Sequence, residues 1–329
     1  MDSKRDVELD MMKFWGILFV VLGHVTNMYF PNGLVPMANH PKGLMLISSF
    51  LYSFHMPLFV FVSGAVYSFL YEILGKRYGL KRMILTKTKR LLIPYLFFGF
   101  AIMLPLMVGC GFRESFMDYA YHGIFLSKDS RHLWFVLMLF EVFIVFWVMR
   151  RIAEMIKLPK WTLLFLSFVL MLVSNKIPYV FQLSMAAKYL FWFTLGYIFM
   201  IHKDVYKEYV FGGVFPGIIL ILYLIENEHL DVRVSLFSTI SAVAGIMLIY
   251  FISSKMKGEG NSFIGLIVKN SFGIYLIHVP IIYLMFYGFH SYHVSPYLFS
   301  LIVFLLSIGI SVLVTIALRK SGLKSLIGE

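Results

Sequence analysis

Four ionisable side chains stand inside long apolar runs of this sequence: His24, His55, Glu141 and His278. In hydrocarbon such a group costs about 2.5 to 3.5 kcal/mol on insertion scales, so each needs a partner, a wet cavity or a function. A neutral imidazole, with a reference pKa of roughly 6.5, can take a proton from a hydroxyl, and a carboxylate can orient an imidazole. General-base catalysis of a group transfer is therefore within reach. For any single histidine, a structural hydrogen bond is the competing reading.

Depth strengthens the catalytic reading. At a rise of about 1.5 Å per residue, His24 lies roughly 16 Å from Lys13 and His278 roughly 14 Å from Lys269, both markers of the inner end. His55 lies roughly 20 Å from Lys42 and Glu141 roughly 15 Å from Arg131, both markers of the outer end. All four are expected at a similar level, which scattered core residues have no reason to share. Asp10, Lys13 and His24 are separated by 3 and 11 residues, which puts them on one helical face. A cation at the cytoplasmic end and a histidine at mid-depth on one stripe suit a long anionic donor whose reactive end reaches the histidine. Lys13 as an interfacial anchor and Asp10 as a helix N-terminal charge fit the same spacing equally well.

The elements that must position these residues are membrane helices. Apolar residues make up 60% of the 329-residue chain, against 14% charged, a balance foreign to soluble domains. Ten apolar runs recur, at 12–30, 44–70, 91–109, 132–149, 161–175, 180–201, 209–225, 235–252, 271–289 and 297–318, each near the length that crosses the bilayer core. They lack the alternation of barrel strands, so the expected fold is all-α: a polytopic helical bundle forming one transmembrane domain over 1–329, with no appended soluble domain. With the N-terminus inside, 22 of the 29 basic residues fall on the cytoplasmic side, which predicts ten crossings with both termini cytoplasmic. Topology and anionic lipid then account for the net charge of +12 without nucleic acid. The first run carries Lys13 and His24 and lacks an Ala-x-Ala cleavage site, so it is expected to stay as the first helix. The aromatic segment from Cys110 to Arg131 reads as interfacial. Cys110, the single cysteine, offers neither a disulfide nor a metal cluster. No metal motif, nucleotide loop or internal repeat occurs, so any chemistry lies within the helices or at their mouths.

These residues sit in words that resemble the acyltransferase family 3 membrane proteins: Asp10-Met-Met-Lys13 with Gly23-His24, then Ser53-Phe-His55-Met-Pro57-Leu-Phe59-Val-Phe-Val-Ser63-Gly64. Lys87-Thr-Lys89-Arg90-Leu-Leu-Ile-Pro94-Tyr95, His132-Leu-Trp134-Phe135 and Ser271-Phe-Gly-Ile-Tyr275-Leu-Ile-His278-Val-Pro280 follow in the family's order. Lys13 replaces the family's usual arginine, as in the subgroup named for fucose 4-O-acetylases. The resemblance implies transfer of acetyl from cytoplasmic acetyl-CoA to a hydroxyl of an envelope, capsular or exopolysaccharide sugar, in a bacterial plasma (inner) membrane. His24 is the expected general base, with Glu141 and His55 as further catalytic candidates. Lys13, Lys87, Lys89 and Arg90 are candidate contacts for the anionic acyl-CoA. Asp10, His132, Trp134, Tyr275 and His278 are candidate substrate contacts. Direct transfer is the working mechanism, and an acyl-histidine or an acyl-serine at Ser63 or Ser271 is the alternative route. A multi-pass transporter or flippase is the competing function, since midplane ionisable groups also carry protons and solutes; a noncatalytic partner of polysaccharide assembly is a third reading.

Overall fold

The computed structural model describes residues 6–204, 217–218, 236–256, 262–289 and 294–329. Among them, eight helices are long and apolar enough to cross a membrane. In chain order the helices are α1 Val7–Asn27, α2 Lys42–Ile73, α3 Leu80–Gly109, α4 Arg131–Met155, the shorter apolar α5 Trp161–Lys176, α6 Leu183–Ile201, α7 Ser238–Lys255, α8 Phe263–Phe289 and α9 Pro296–Lys320. No strand occurs among the described residues, and the protein is an all-α polytopic membrane bundle. Of the ten expected runs, the fifth is the short α5, and 209–225 lies outside the described residues except for 217–218.

Proline explains where the helices depart from regularity. Within α2 the α-helix stops at Tyr52 and restarts at His55. Pro57 lies four residues after Ser53; its ring crowds the Ser53 carbonyl and it has no N–H to offer it. The Ser53 amide is shared between the Ser49 carbonyl at 3.2 Å and the Phe50 carbonyl at 3.3 Å, and the Phe54 amide turns to Leu51, three residues back, at 3.3 Å. In α3 two wide π turns, Thr88–Leu92 and Phe98–Met103, run up to Pro94 and Pro105, where the missing amide again loosens the ladder. The 44–70 run expected as one uninterrupted helix is thus divided at Ser53 and Phe54.

The chain forms two compact units, one of residues 1–59 and 204–317, the other of 60–203 and 318–329. In the first, α1 packs against α8, the opening half of α2 and α7. Asp6 caps α1, its carboxylate accepting from the Leu9 amide at 3.0 Å, and Glu8 and Asp10 complement the dipole in the first turn. In the second unit, α6 packs on α5 and α4. A Cβ at Gly64 would overlap the main chain of Phe193, and one at Gly196 the main chain of Phe61. Here α2 and α6 meet backbone to backbone, the close approach by which membrane helices pack without a hydrophobic driving force. The segment after Cys110 forms a helical stretch, Phe116–Phe125, that buries Tyr119 and Ile124 and exposes Phe116, Met117, Tyr121 and Phe125.

Candidate active site

Three histidines from three distant points of the sequence converge in the first unit. The His24 ring on α1 lies 5.1 Å from that of His278 on α8, and both His278 and His55 act on it electrostatically. Tyr52 joins them: its hydroxyl is 3.2 Å from His24 Nδ1, and its ring stands edge-on to His55 at 4.6 Å. Tyr275, one helical turn before His278, places its ring 5.8 Å from that histidine. The break before His55 brings Tyr52 beside α1, and Gly23 leaves space for the phenol, whose ring comes 3.4 Å from where a Cβ would stand.

The hydrogen bonds separate the three imidazoles. His55 Nδ1 lies 2.6 Å from the Leu51 carbonyl, and His278 Nδ1 lies 2.9 Å from the Ile274 carbonyl. A carbonyl oxygen only accepts, so both nitrogens carry their protons, and each neutral ring keeps its lone pair at Nε2. Both rings are buried, with 1% and 0% of their surface exposed. His24 is only partly buried and bonds to a phenol, which can donate or accept. Of the three, His24 is therefore the least enclosed.

Toward the N-terminal end of α1, Lys13 donates to Asp10 at 2.8 Å. The expected pairing of these two residues is present, on the same helix as His24 and roughly 16 Å below it. Around that end, Tyr250 donates to Glu8 at 3.2 Å and the Trp15 indole points at the Met256 sulfur at 3.2 Å.

The remaining candidates belong to the second unit, where they occupy separate settings. Lys87 turns inward and places its ammonium 3.2 Å from the centre of the Phe143 ring, a cation-π contact. Arg90 donates to the Gly328 carbonyl at 3.3 Å. Lys89 shares a groove with Lys81 and Arg82. Glu141 has one carboxylate oxygen buried without a hydrogen-bond partner. His132 is buried, and Trp134 packs 5.4 Å from Tyr189.

Two features escape the sequence reading. Tyr52 is one, its only signal being its place three residues before His55. The other is Arg150, which lies one residue past the apolar run expected at 132–149 but is 3% exposed within α4. It pairs with Glu154, donates to the Tyr67 hydroxyl at 3.3 Å and covers the Tyr71 ring at 3.7 Å. Nearby, Glu72 accepts from Tyr197 and from Lys160, the latter at 2.9 Å. The apolar run expected to end at 149 therefore continues as helix through Met155, because these partners satisfy a buried guanidinium.

Among the described residues, no group of three histidine, cysteine or acidic side chains is arranged to hold a metal. Residues 6–318 match a family model, Acyl_transf_3, described as an acyltransferase domain. No curated protein and no solved structure matches the chain.

Proposed function

Because the chain belongs to the acyltransferase family whose domain it matches over residues 6–318, we propose that it moves acetyl from cytoplasmic acetyl-CoA to a hydroxyl of an envelope, capsular or exopolysaccharide sugar in a bacterial inner membrane. The observation that carries the proposal for the site is the lesser enclosure of His24. It sits among His55, His278 and Tyr52 on the helix whose inner end presents Lys13. Lys13 holds the phosphates of the donor by charge, and Asp10 fixes the lysine. The acyl end then extends along α1 to the histidine level.

At that level the acceptor hydroxyl gives its proton to His24 Nε2 as its oxygen attacks the thioester carbonyl carbon. The tetrahedral oxyanion collapses and the C–S bond breaks. The coenzyme A thiolate takes the proton back from His24, leaving an O-acetyl ester, free coenzyme A and a neutral imidazole. His55 and His278, with protons fixed on Nδ1, offer the chamber two neutral polar walls and no permanent charge. Tyr275 lines the same wall. Lysine in place of arginine at position 13 supports, within this reading, the subgroup named for fucose 4-O-acetylases.

The test is release of free coenzyme A from acetyl-CoA by purified wild type and His24→Ala, with an envelope glycan extract as acceptor. Acceptor-dependent release by wild type alone, with both proteins folded, supports His24 as base. Equal release by the two removes His24 from the mechanism. No release by the folded wild type with acetyl- or succinyl-CoA overturns the donor assignment.

A further inference from the structure

We propose that Tyr52 is the positioning residue of His24, its phenolic oxygen accepting the Nδ1–H bond so that the Nε2 lone pair faces the acceptor hydroxyl. The inference rests on the reading of His24 as the base. An imidazole that takes a proton at Nε2 must carry its other proton on Nδ1, and that proton needs an acceptor in both the neutral and the charged ring. The two neighbouring histidines do not supply it through Nδ1, because those atoms donate to the Leu51 and Ile274 carbonyls of their own helices. The atom placed on His24 Nδ1 is the Tyr52 oxygen, at 3.2 Å. The reverse arrangement, with the phenol donating to Nδ1, would put the neutral ring's proton on Nε2 and block the base.

The surroundings of Tyr52 suit a fixed acceptor. Its ring is held edge-on to His55, at 4.6 Å and 80°, and lies over Gly23, the residue preceding the base. It ends the first half of α2, at the break that Pro57 imposes. A phenol has few rotatable bonds, so little freedom is lost in holding it there. The titratable groups facing His24 are Tyr52 and His55 of α2 and His278 of α8. Tyr275 and Tyr283 of α8 lie beside Tyr52, while Tyr250 of α7 is engaged with Glu8. In the step itself Tyr52 neither gains nor loses a proton; the hydroxyl proton passes to Nε2 and then to the thiolate.

The experiment compares Tyr52→Phe with wild type in coenzyme A release, reading kcat, the KM for acetyl-CoA and the pH dependence of kcat, with thermal stability as the folding control. The expected result is a fall in kcat of about 10- to 100-fold with the donor KM unchanged. Losing the phenolic oxygen destabilises the imidazolium more than the neutral ring, so the acid limb of the profile is expected to move to lower pH. An unchanged kcat overturns the proposal, as does a loss accompanied by a raised KM or by an unmoved acid limb, which a purely structural tyrosine would give. Should His24→Ala keep the wild-type rate, the base assignment falls first and Tyr52 with it. If His24→Ala is inactive while Tyr52→Phe is normal, only the role of Tyr52 fails.

Discussion

In the proposed mechanism Lys13 and His24 divide binding from chemistry on a single helix face, and their substitutions are expected to separate in kinetics. On that reading the Lys13 ammonium meets the donor's phosphates in ground and transition state alike, so Lys13→Ala should raise the KM for acetyl-CoA with little change in kcat. The loss of a charge-assisted bond, about 1.5 to 3 kcal/mol, corresponds to a rise of roughly 10- to 100-fold. Lys13→Arg, which keeps the charge and the pairing with Asp10, should restore most of it; steady-state titration of acetyl-CoA distinguishes these outcomes, and an unchanged KM in Lys13→Ala removes the lysine from donor binding. A second expectation concerns Arg150, whose guanidinium is buried with Glu154, Tyr67 and Tyr71. Arg150→Ala takes the guanidinium from Tyr67 and Tyr71 while Glu154 keeps Arg151 and the Tyr71 hydroxyl, and should destabilise the protein by about 1 to 3 kcal/mol, read as a lowered unfolding temperature in detergent. At this scale the sequence was legible where a residue type is rare in its setting. Histidine in an apolar run demands an explanation, and His24 and His278 do meet. Tyr52 was invisible because aromatic residues are 18% of the chain, and one tyrosine among twenty carries no signal until Pro57 breaks the helix beside it. Arg150 was misread for the opposite reason: a cation after an apolar run looks like a loop, and only the pairing of distant tyrosines and carboxylates shows how a helix can absorb it.

Elements convert those residues into a site, and two devices do so here, helix breaks and close backbone contacts. The runs themselves were legible, since hydropathy alone marks where a chain must satisfy its amides internally. Their interruptions were not, because a proline says where a ladder bond is lost without saying which neighbours take the freed carbonyls. Pro57→Ala would restore the amide that the Ser53 carbonyl lacks and allow α2 to run straight past Tyr52. Since an interior proline costs a helix about 3 kcal/mol, the variant is expected to keep or gain thermal stability. Its activity should nevertheless fall, because straightening α2 turns Tyr52 and His55 relative to His24. Unfolding temperature and coenzyme A release on the same preparation check this, and a variant with full activity would show that the break does not position the site. Gly64 and Gly196 predict the converse pairing of effects. A side chain at either overlaps backbone, so Gly64→Val or Gly196→Val should force α2 and α6 apart and cost at least the 1 to 3 kcal/mol typical of roughly one overpacked site. Loss of stability should there precede any change in the kinetics of the folded fraction.

For the whole molecule, orientation in the bilayer decides whether the proposed chemistry has its substrates. The proposed donor, acetyl-CoA, is cytoplasmic, and Lys13 can meet its phosphates only if the N-terminal end of α1 lies inside. The charge distribution argues for that arrangement: with ten crossings and the N-terminus inside, 22 of the 29 cations would fall on the inner side, each worth about 1 kcal/mol of attraction to an anionic leaflet. The single cysteine makes the orientation measurable without a tag. Cys110 follows the end of α3 and is partly accessible; that helix starts beside Lys81 and Arg82, so its far end is expected to face outward. A membrane-impermeant maleimide applied to spheroplasts should therefore label Cys110. In a Cys110→Ser background, Ser325→Cys, close to the C-terminal turn Lys324–Ile327, should react only after permeabilisation. If both react from outside, the two ends are not on opposite sides and the expected parity of crossings is wrong. The reversed pattern, with Cys110 protected and Ser325→Cys labelled in intact spheroplasts, would put Lys13 outside, away from any acyl-CoA, and would overturn the donor path along α1 even with His24 essential. The expected pattern would put Lys13 on the cytoplasmic side of the three histidines, with His24 roughly three turns of helix above it, as the proposed transfer within the membrane requires.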